Sequence, residues 1–334
     1  MKPSESAPLL TDLLRAVSRS FYLTLRVLPR PIRHPISIAY LLARTSDTIA
    51  DTDVLPAAAR LNSLNQLDQA IQEPSPRDCD FTTFLTHQAR PKERELLQRV
   101  NQSLLLLTSL APKERQLVRL VLQRIISGQR LDLERFALAS PEKVVALSRD
   151  ADLDDYTYRV AGCVGEFWTQ ICFLHSSQGD PPPNDLVAQG IRFGQGLQLV
   201  NILRDLAEDL AQGRCYLPLD ALTQAGLSPA DLHHPENADR LRSLFAAYRQ
   251  RARAHLDAGW EYTTRLPWSW MRIRLACSWP ILLGYQTLDI LPSDHPADPA
   301  QRAKVTRRQV KSTLLRSILT YPFPSIWAKL PRKR

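Results

Sequence analysis

The sequence predicts an all-α protein built as one large helical domain. Three observations lead there. Apolar residues recur at helical spacing through most of the 334 residues. Glycine is scarce, at 11 residues, while Leu, Ala, Arg and Gln are abundant, a balance that favours helix. No alternating apolar–polar run is long enough to build a sheet. Taken in order, the spacing predicts helices over roughly 7–16, 33–53, 56–72, 92–110, 113–128, 141–148, 152–176, 184–210, 239–264, 269–289 and 301–318. Proline-rich breaks at 73–78, 179–185, 228–237 and 291–299 end several of them. These breaks are short and follow helix ends, so none is read as an interdomain linker. One domain over 1–318 is expected, followed by a basic, aromatic-containing tail over 319–334.

Composition narrows the class. Hydrophobic residues make up 44% and charged residues 23%, as in a soluble chain with a real core. Five cysteines, an odd number without a C-x-x-C pair, suggest neither a disulfide framework nor a zinc site, and a cytoplasmic setting is expected. No apolar run reaches the roughly 18 residues that cross a bilayer, and the N-terminal segment lacks the features of a signal peptide.

The net charge of +9 is concentrated at one end. Residues 302–334 hold ten Lys or Arg and no acid, leaving the remainder near neutral. That distribution argues against a nucleic-acid binder, which spreads basic charge over a face. Ile318, Tyr321, Phe323, Ile326 and Trp327 lie among those cations, a mixture suited to peripheral contact with the inner face of an anionic membrane. A solvated basic tail is the alternative, and a monomer is the expected state.

Two acidic motifs carry the chemistry. In the helical segment 37–52, Asp47 and Asp51 are four residues apart and project from one face. Two carboxylates there repel unless a cation lies between them, and hard oxygen ligands suit Mg2+, which completes its shell with phosphate oxygens. Arg44 stands three residues before Asp47, placed for that carboxylate or for a phosphate. Alone, such a pair is also what a solvated helix face carries. The second stretch, 194–218, is more specific. Asn201, Asp205 and Asp209 fall at i, i+4 and i+8 beside Glu208, with Arg204 adjacent and Arg214 just past Gly213. Leu199, Val200, Ile202, Leu203 and Leu206 mark this as a core helix, not an exposed charged end. Facing each other across a bundle, the two motifs would line a cavity with Mg2+ and diphosphate at its mouth and apolar walls within. Such a cavity would ionise an allylic diphosphate and shield the cation from water.

With these residues in view, the chain resembles the squalene and phytoene synthases over about 18–309. SRSF at 18–21 is similar to that family's early diphosphate-binding motif, DTIAD at 47–51 to its first aspartate motif, and NILRDLAED at 201–209 to its second. GRCYLP at 213–218 continues the pattern, and YTYRVAGCVG at 156–165 resembles the segment between the two acidic motifs. The resemblance implies an all-α isoprenoid synthase bundle with a central apolar cavity. It implies Mg2+ ligands at Asp47, Asp51, Asn201, Asp205 and Asp209, and diphosphate contacts from Ser18, Arg19, Phe21, Arg44, Arg204 and Arg214. Tyr156 matches the tyrosine of the first half-reaction; without the resemblance it reads as a helix-end anchor. Gly162 and Gly165 would allow close approach of a helix or substrate, or form a packing seam, and Cys277 with Pro280 matches a C-x-x-P feature on a late helix.

Within that family, DT at 47–48 looks like squalene synthase. The stretch 303–310 loosely resembles the basic flap that helps bind NADPH, making Lys304, Arg307 and Arg308 cofactor candidates. YTYRVAG and the 201–218 stretch look more like phytoene synthase, and no Gly-rich dinucleotide fingerprint is present. The expectation is a squalene synthase acting on two farnesyl diphosphates. The alternatives are a phytoene or dehydrosqualene synthase (with geranylgeranyl diphosphate as the longer substrate), a presqualene diphosphate synthase, or a scaffold protein of the same fold.

Overall fold

A computed structural model describes residues 9–18, 21–75, 77–88, 90–177, 180–292, 296–298 and 303–332. Its α-helices in chain order are α1 (Leu14–Ser18), α2 (Phe21–Val27), α3 (Arg30–Ala50), α4 (Ala57–Gln72), α5 (Thr82–His87), α6 (Pro91–Gln98), α7 (Val100–Thr108), α8 (Pro112–Arg135), α9 (Asp150–Thr157), α10 (Cys163–Ser176), α11 (Asn184–Ala211), α12 (Leu219–Gln224), α13 (Ala238–Arg265), α14 (Met271–Ile290), α15 (Arg307–Thr320) and α16 (Pro324–Trp327). Two residue pairs, β1 (Val145–Ala146) and β2 (Arg214–Cys215), form a small parallel ladder. Two compact units emerge, Met1–Glu134 with Phe167–Pro182, and Arg135–Glu166 with Pro183–Arg334.

In the first unit α3 turns Ile32, Ile36, Ile38, Leu41, Leu42 and Ile49 into the core. The buried hydroxyls of Thr45, Ser46 and Thr48 are satisfied within the helix itself. Thr45 donates to the Leu41 carbonyl at 2.9 Å, and Thr48 to that of Arg44 at 2.9 Å. His175 on α10 meets Glu114 in the first turn of α8 at 2.8 Å.

In the second unit the long helices α11 and α13 pack against each other. Arg265 reaches Asp185 at 2.7 Å and Gln189 at 2.9 Å, while Arg192 donates to the Ala254 carbonyl at 3.1 Å. The segment expected as one helix over 152–176 contains a π-helical turn, Tyr158–Gly162, between α9 and α10. Just beyond it, Gly165 lies so close to α11 that a Cβ there would sit 1.8 Å from the Gly190 carbonyl oxygen. Glycine at 165 is therefore a packing requirement.

The helix expected over 141–148 is not formed. Ser140 and Lys143 exchange backbone hydrogen bonds, and Val145 and Leu147 donate to the carbonyls of Gly213 and Cys215 at 2.8 and 3.1 Å. A short apolar run with paired valines satisfies its backbone equally well in a ladder, and here the partner strand is at hand. The helix expected over 92–110 is broken at Arg99, and that over 301–318 begins at Arg307. All five cysteines are free and buried. Among the described residues no helix is long and apolar enough to cross a membrane.

Within 319–332, the described part of the expected tail, Tyr321, Trp327 and Leu330 contribute to the core of the second unit. Trp327 is fully buried, stacked on Trp260 at 4.8 Å and edge-on to Trp268 and Tyr321. The buried Arg274 guanidinium lies over the Trp268 and Trp327 rings at 4.6 and 4.8 Å. The aromatics at 321 and 327 thus face inward, whereas Phe323 and Ile326 face outward.

Candidate active site

The first acidic motif occupies the C-terminal end of α3. Asp47 is in its last turn and Asp51 is its C-cap, with the Asp51 N–H donating to the Asp47 carbonyl at 2.8 Å. Both charges stand where the helix dipole already presents negative potential, an unfavourable place for a carboxylate without a cation. The Asp47 side chain is 45% exposed, yet its carboxyl is pushed up to about 6 by burial and then by Asp51. Arg44 and a hydrogen bond from Gln129 oppose that rise.

Arg44, expected to meet a phosphate, is engaged by protein carboxylates. One Nη bonds Glu93 at 2.5 Å and the other lies 3.7 Å from Asp47. Glu93, mostly buried on α6, also takes Arg90 at 3.1 Å. Gln129 on α8 sends Nε2 to Asp47 Oδ1 at 2.5 Å, while its buried Oε1 has no hydrogen-bond partner. Neither Glu93 nor Gln129 was legible as a site residue, because each reaches α3 only through tertiary packing.

Around the SRSF motif, Ser18 is buried and its hydroxyl donates to the Leu14 carbonyl of its own helix at 2.5 Å. Phe21 stacks on Tyr40 at 5.0 Å. Arg19 lies outside the described residues.

The second motif likewise sits at a helix C-terminus, the last three turns of α11. Asn201, Asp205 and Asp209 follow one another along a stripe at one-turn intervals. Arg204 grips its neighbour Asp205 with two bonds, Nε to Oδ1 at 2.9 Å and Nη2 to Oδ2 at 2.5 Å. That hydrogen bond outweighs the cost of burial and raises the Arg204 pKa. Gly213 ends the helix with φ of +76°, a left-handed turn that glycine adopts freely. The chain then enters β2, which places Arg214 on the ladder and buries Cys215, whose thiol is pushed up to about 12 by desolvation.

Tyr156 lies in the same unit, near the end of α9, and is mostly buried. Its ring stacks on Tyr216 at 4.8 Å and 24°, and Tyr216 meets Phe136 edge-on at 5.2 Å. Tyr216 was read only as part of the GRCYLP pattern; its contact with Tyr156 makes it a support for that residue. Lys304, Arg307 and Arg308 are exposed where α15 begins, capped by Thr306 with its capping box to Gln309.

The donor set fits Mg2+. Every candidate ligand is a hard oxygen, in a pair on α3 and, separately, in a stripe on α11, and the orphaned Gln129 Oε1 could accept from a metal-bound water. Among the described residues no three His, Cys, Asp or Glu side chains converge as a preformed metal cluster. Incoming phosphate oxygens and water would therefore have to complete each shell.

Comparison with known proteins identifies relatives of this chain. The family description Squalene/phytoene synthase matches residues 14–309. A presqualene diphosphate synthase of Rhodopseudomonas palustris is 29% identical over 308 residues, covering 90% of this chain and 93% of its own. A squalene synthase of Eremothecium gossypii is 30% identical over 235 residues, 68% of this chain and 49% of its own. The structure of TcSQS with a ligand superposes with a TM-score of 0.72 at 20% identity, covering 98% of this chain and 97% of that one. The fold is thus the all-α isoprenoid synthase fold, and the chain, an enzyme that transfers prenyl groups, belongs to the squalene/phytoene synthase family.

Proposed function

We propose that this chain is a squalene synthase, condensing two farnesyl diphosphates head to head through presqualene diphosphate and reducing the product with NADPH. The observation that carries the condensation is the pair of carboxylate sets at the C-terminal ends of α3 and α11, each with an arginine in contact. Asp47 and Asp51 on α3, and Asn201, Asp205 and Asp209 on α11, would hold Mg2+. When bound, Mg2+ would neutralise charge that builds on departing diphosphate.

The protein's own groups do the rest. Arg204 and Arg214 of the second unit offer guanidinium donors to phosphate oxygens, and Arg44 of the first unit would offer one by giving up part of its hold on Glu93. The C1–O bond of one farnesyl diphosphate breaks, its electron pair leaving with the diphosphate. The double bond of the second substrate then attacks C1. Ring closure with loss of a proton gives presqualene diphosphate. Tyr156, held flat against Tyr216, is assigned to this first half-reaction, where an aromatic face stabilises positive charge. A second ionisation and rearrangement end in hydride capture from NADPH. Lys304, Arg307 and Arg308 support that step, standing exposed at a helix N-terminus, where phosphate is favoured.

A second reading stops at presqualene diphosphate. It is favoured by the Rhodopseudomonas protein of that name, which matches along 90% of this chain. Incubation with farnesyl diphosphate and Mg2+, with and without NADPH, separates the readings. Squalene only with NADPH is the expected result. Presqualene diphosphate in both tubes supports the second reading, dehydrosqualene regardless of NADPH or phytoene from geranylgeranyl diphosphate moves the enzyme to the carotenoid side, and full turnover by Asp205→Asn overturns the metal assignment.

A further inference from the structure

Helix α15 and the loop into α16 present a surface that the prenyl-transfer chemistry does not use. The inward stripe of α15 holds Val310, Thr313, Leu314 and Ser317, of which Ser317 is fully buried. Its hydroxyl takes the Trp279 Nε1 hydrogen at 2.9 Å, and its carbonyl takes that of Trp327 at 3.1 Å. At about 100° per residue, the opposite stripe carries Ser312, Leu315 and Leu319. Leu315 is 58% exposed and Leu319 63% exposed, high values for leucines on a helix whose other side is so firmly anchored. Ile318, Phe323 and Ile326 continue the exposed apolar surface around the helix end. Trp268, partly exposed, borders it, because Trp268 stacks on Tyr321 at 4.2 Å.

The charge that α15 and the segment after it carry has one sign. Lys311, Arg316 and Lys329 are exposed within this surface, and no acid occurs between 302 and 334. On α14, Asp289 is already paired with Arg253 at 2.5 Å. Protein interfaces are depleted of lysine at their cores, whereas aliphatic and aromatic side chains ringed by Lys and Arg match the depth profile of an anionic bilayer surface. Tyr321 and Trp327, locked in the core, fix the Phe323 loop relative to α15, so the face is presented ready-made.

We infer that the outward face of α15, with Phe323 and Ile326, docks on an anionic lipid bilayer, the apolar side chains entering the headgroup boundary and the cations meeting lipid phosphates. This docking stands whatever the product of the reaction. Because Trp327 is a core residue, truncation at 319 would remove structure together with the surface, and substitutions are the proper probe.

The test uses the full chain and sedimentation with vesicles of phosphatidylcholine, with or without one third phosphatidylglycerol. The wild type should partition to the anionic vesicles and release in high salt. Leu315→Ser with Leu319→Ser and Phe323→Ser should weaken partitioning at least tenfold, with circular dichroism and Tm unchanged. Lys311→Gln with Arg316→Gln should weaken it roughly fivefold per cation. A wild type that ignores anionic vesicles, or a triple variant that binds them as the wild type does, overturns the inference. So does a wild-type dimer in vesicle-free buffer that the triple variant abolishes, since the face would then serve a second copy of the chain.

Discussion

Gln129 is the residue whose replacement tests the first acidic motif most sharply. Its Nε2 donates to Asp47 while its Oε1 is buried and unmet, so one amide carries two opposing contributions. The bond to an ionised carboxylate contributes about 1.5–3 kcal/mol, and an unmet buried acceptor costs about 1–3 kcal/mol. Gln129→Met removes both with little change in length. Stability should therefore move by less than about 1.5 kcal/mol, readable as a Tm shift of a few degrees. The metal site should not be so forgiving, since groups that orient metal ligands are typically worth 10–100-fold in affinity. There is also a pH signature. Gln129 holds the Asp47 carboxyl down against burial and Asp51, so its loss lifts a value already near 6. More of Asp47 is then protonated at pH 6.5, where a proton competes with Mg2+, and little more at pH 8.5. Mn2+ binding by electron paramagnetic resonance and the Mg2+ dependence of pyrophosphate release, each at both pH values, provide the readout. Expected is a midpoint raised about tenfold or more at pH 6.5, with the gap narrowing at pH 8.5. Midpoints within twofold of wild type at both pH values, or a gap that widens with pH, would refute the reasoning.

Two further predictions follow from the same physics. Below about pH 4 Asp47 is protonated in folded and unfolded chains alike; through pH 4–6 the unfolded chain ionises first, and above about 6 the folded state bears the full cost of the charge. Asp47→Asn should therefore raise Tm at pH 7.5 without Mg2+, leave it unchanged near pH 4, and abolish stabilisation by Mg2+ at this motif; an equal Tm offset at both pH values would contradict the assignment. Trp327→Ala should cost about 3–5 kcal/mol in chemical denaturation, because the ring is fully buried among Trp260, Trp268 and Tyr321; a loss below about 1 kcal/mol would return residues 319–334 to the status of a tail.

What could be read from the sequence was whatever is local. The acidic motifs announce themselves because carboxylate spacing of one helical turn is a property of contiguous residues, and α3 and α11 present them on that spacing. Gln129 could not be found in this way: 82 residues separate it from Asp47, and only the packing of α8 against α3 joins them. The 141–148 segment was misread because an apolar run of that length carries no decisive period, and its strand partner lies some 70 residues away. Prolines at 322 and 324 interrupt helical periodicity, so nothing local distinguishes the inward Tyr321 and Trp327 from the outward Phe323 and Ile326.

The placement of both acidic sets at helix C-termini explains why recognition should depend on a divalent cation. A helix end of this kind carries roughly half a negative charge, and a basic residue there would be stabilising by about 0.3–1 kcal/mol. Neither α3 nor α11 has a basic residue in its last turn. Each has aspartates instead, and on α3 the repulsion is visible in the raised Asp47 carboxyl. A diphosphate brings still more negative charge and is repelled by such an end. Arg204 cannot reverse this alone, because Asp205 already neutralises its charge. A divalent cation would change the sign of every one of these interactions, relieving the carboxylate pair, meeting the helix dipole favourably and leaving coordination positions for phosphate oxygens. By taking over Asp205 it would also release Arg204 to offer its guanidinium to phosphate. Substrate binding should therefore be conditional on the metal, and the repulsion built into each helix end is what makes it conditional.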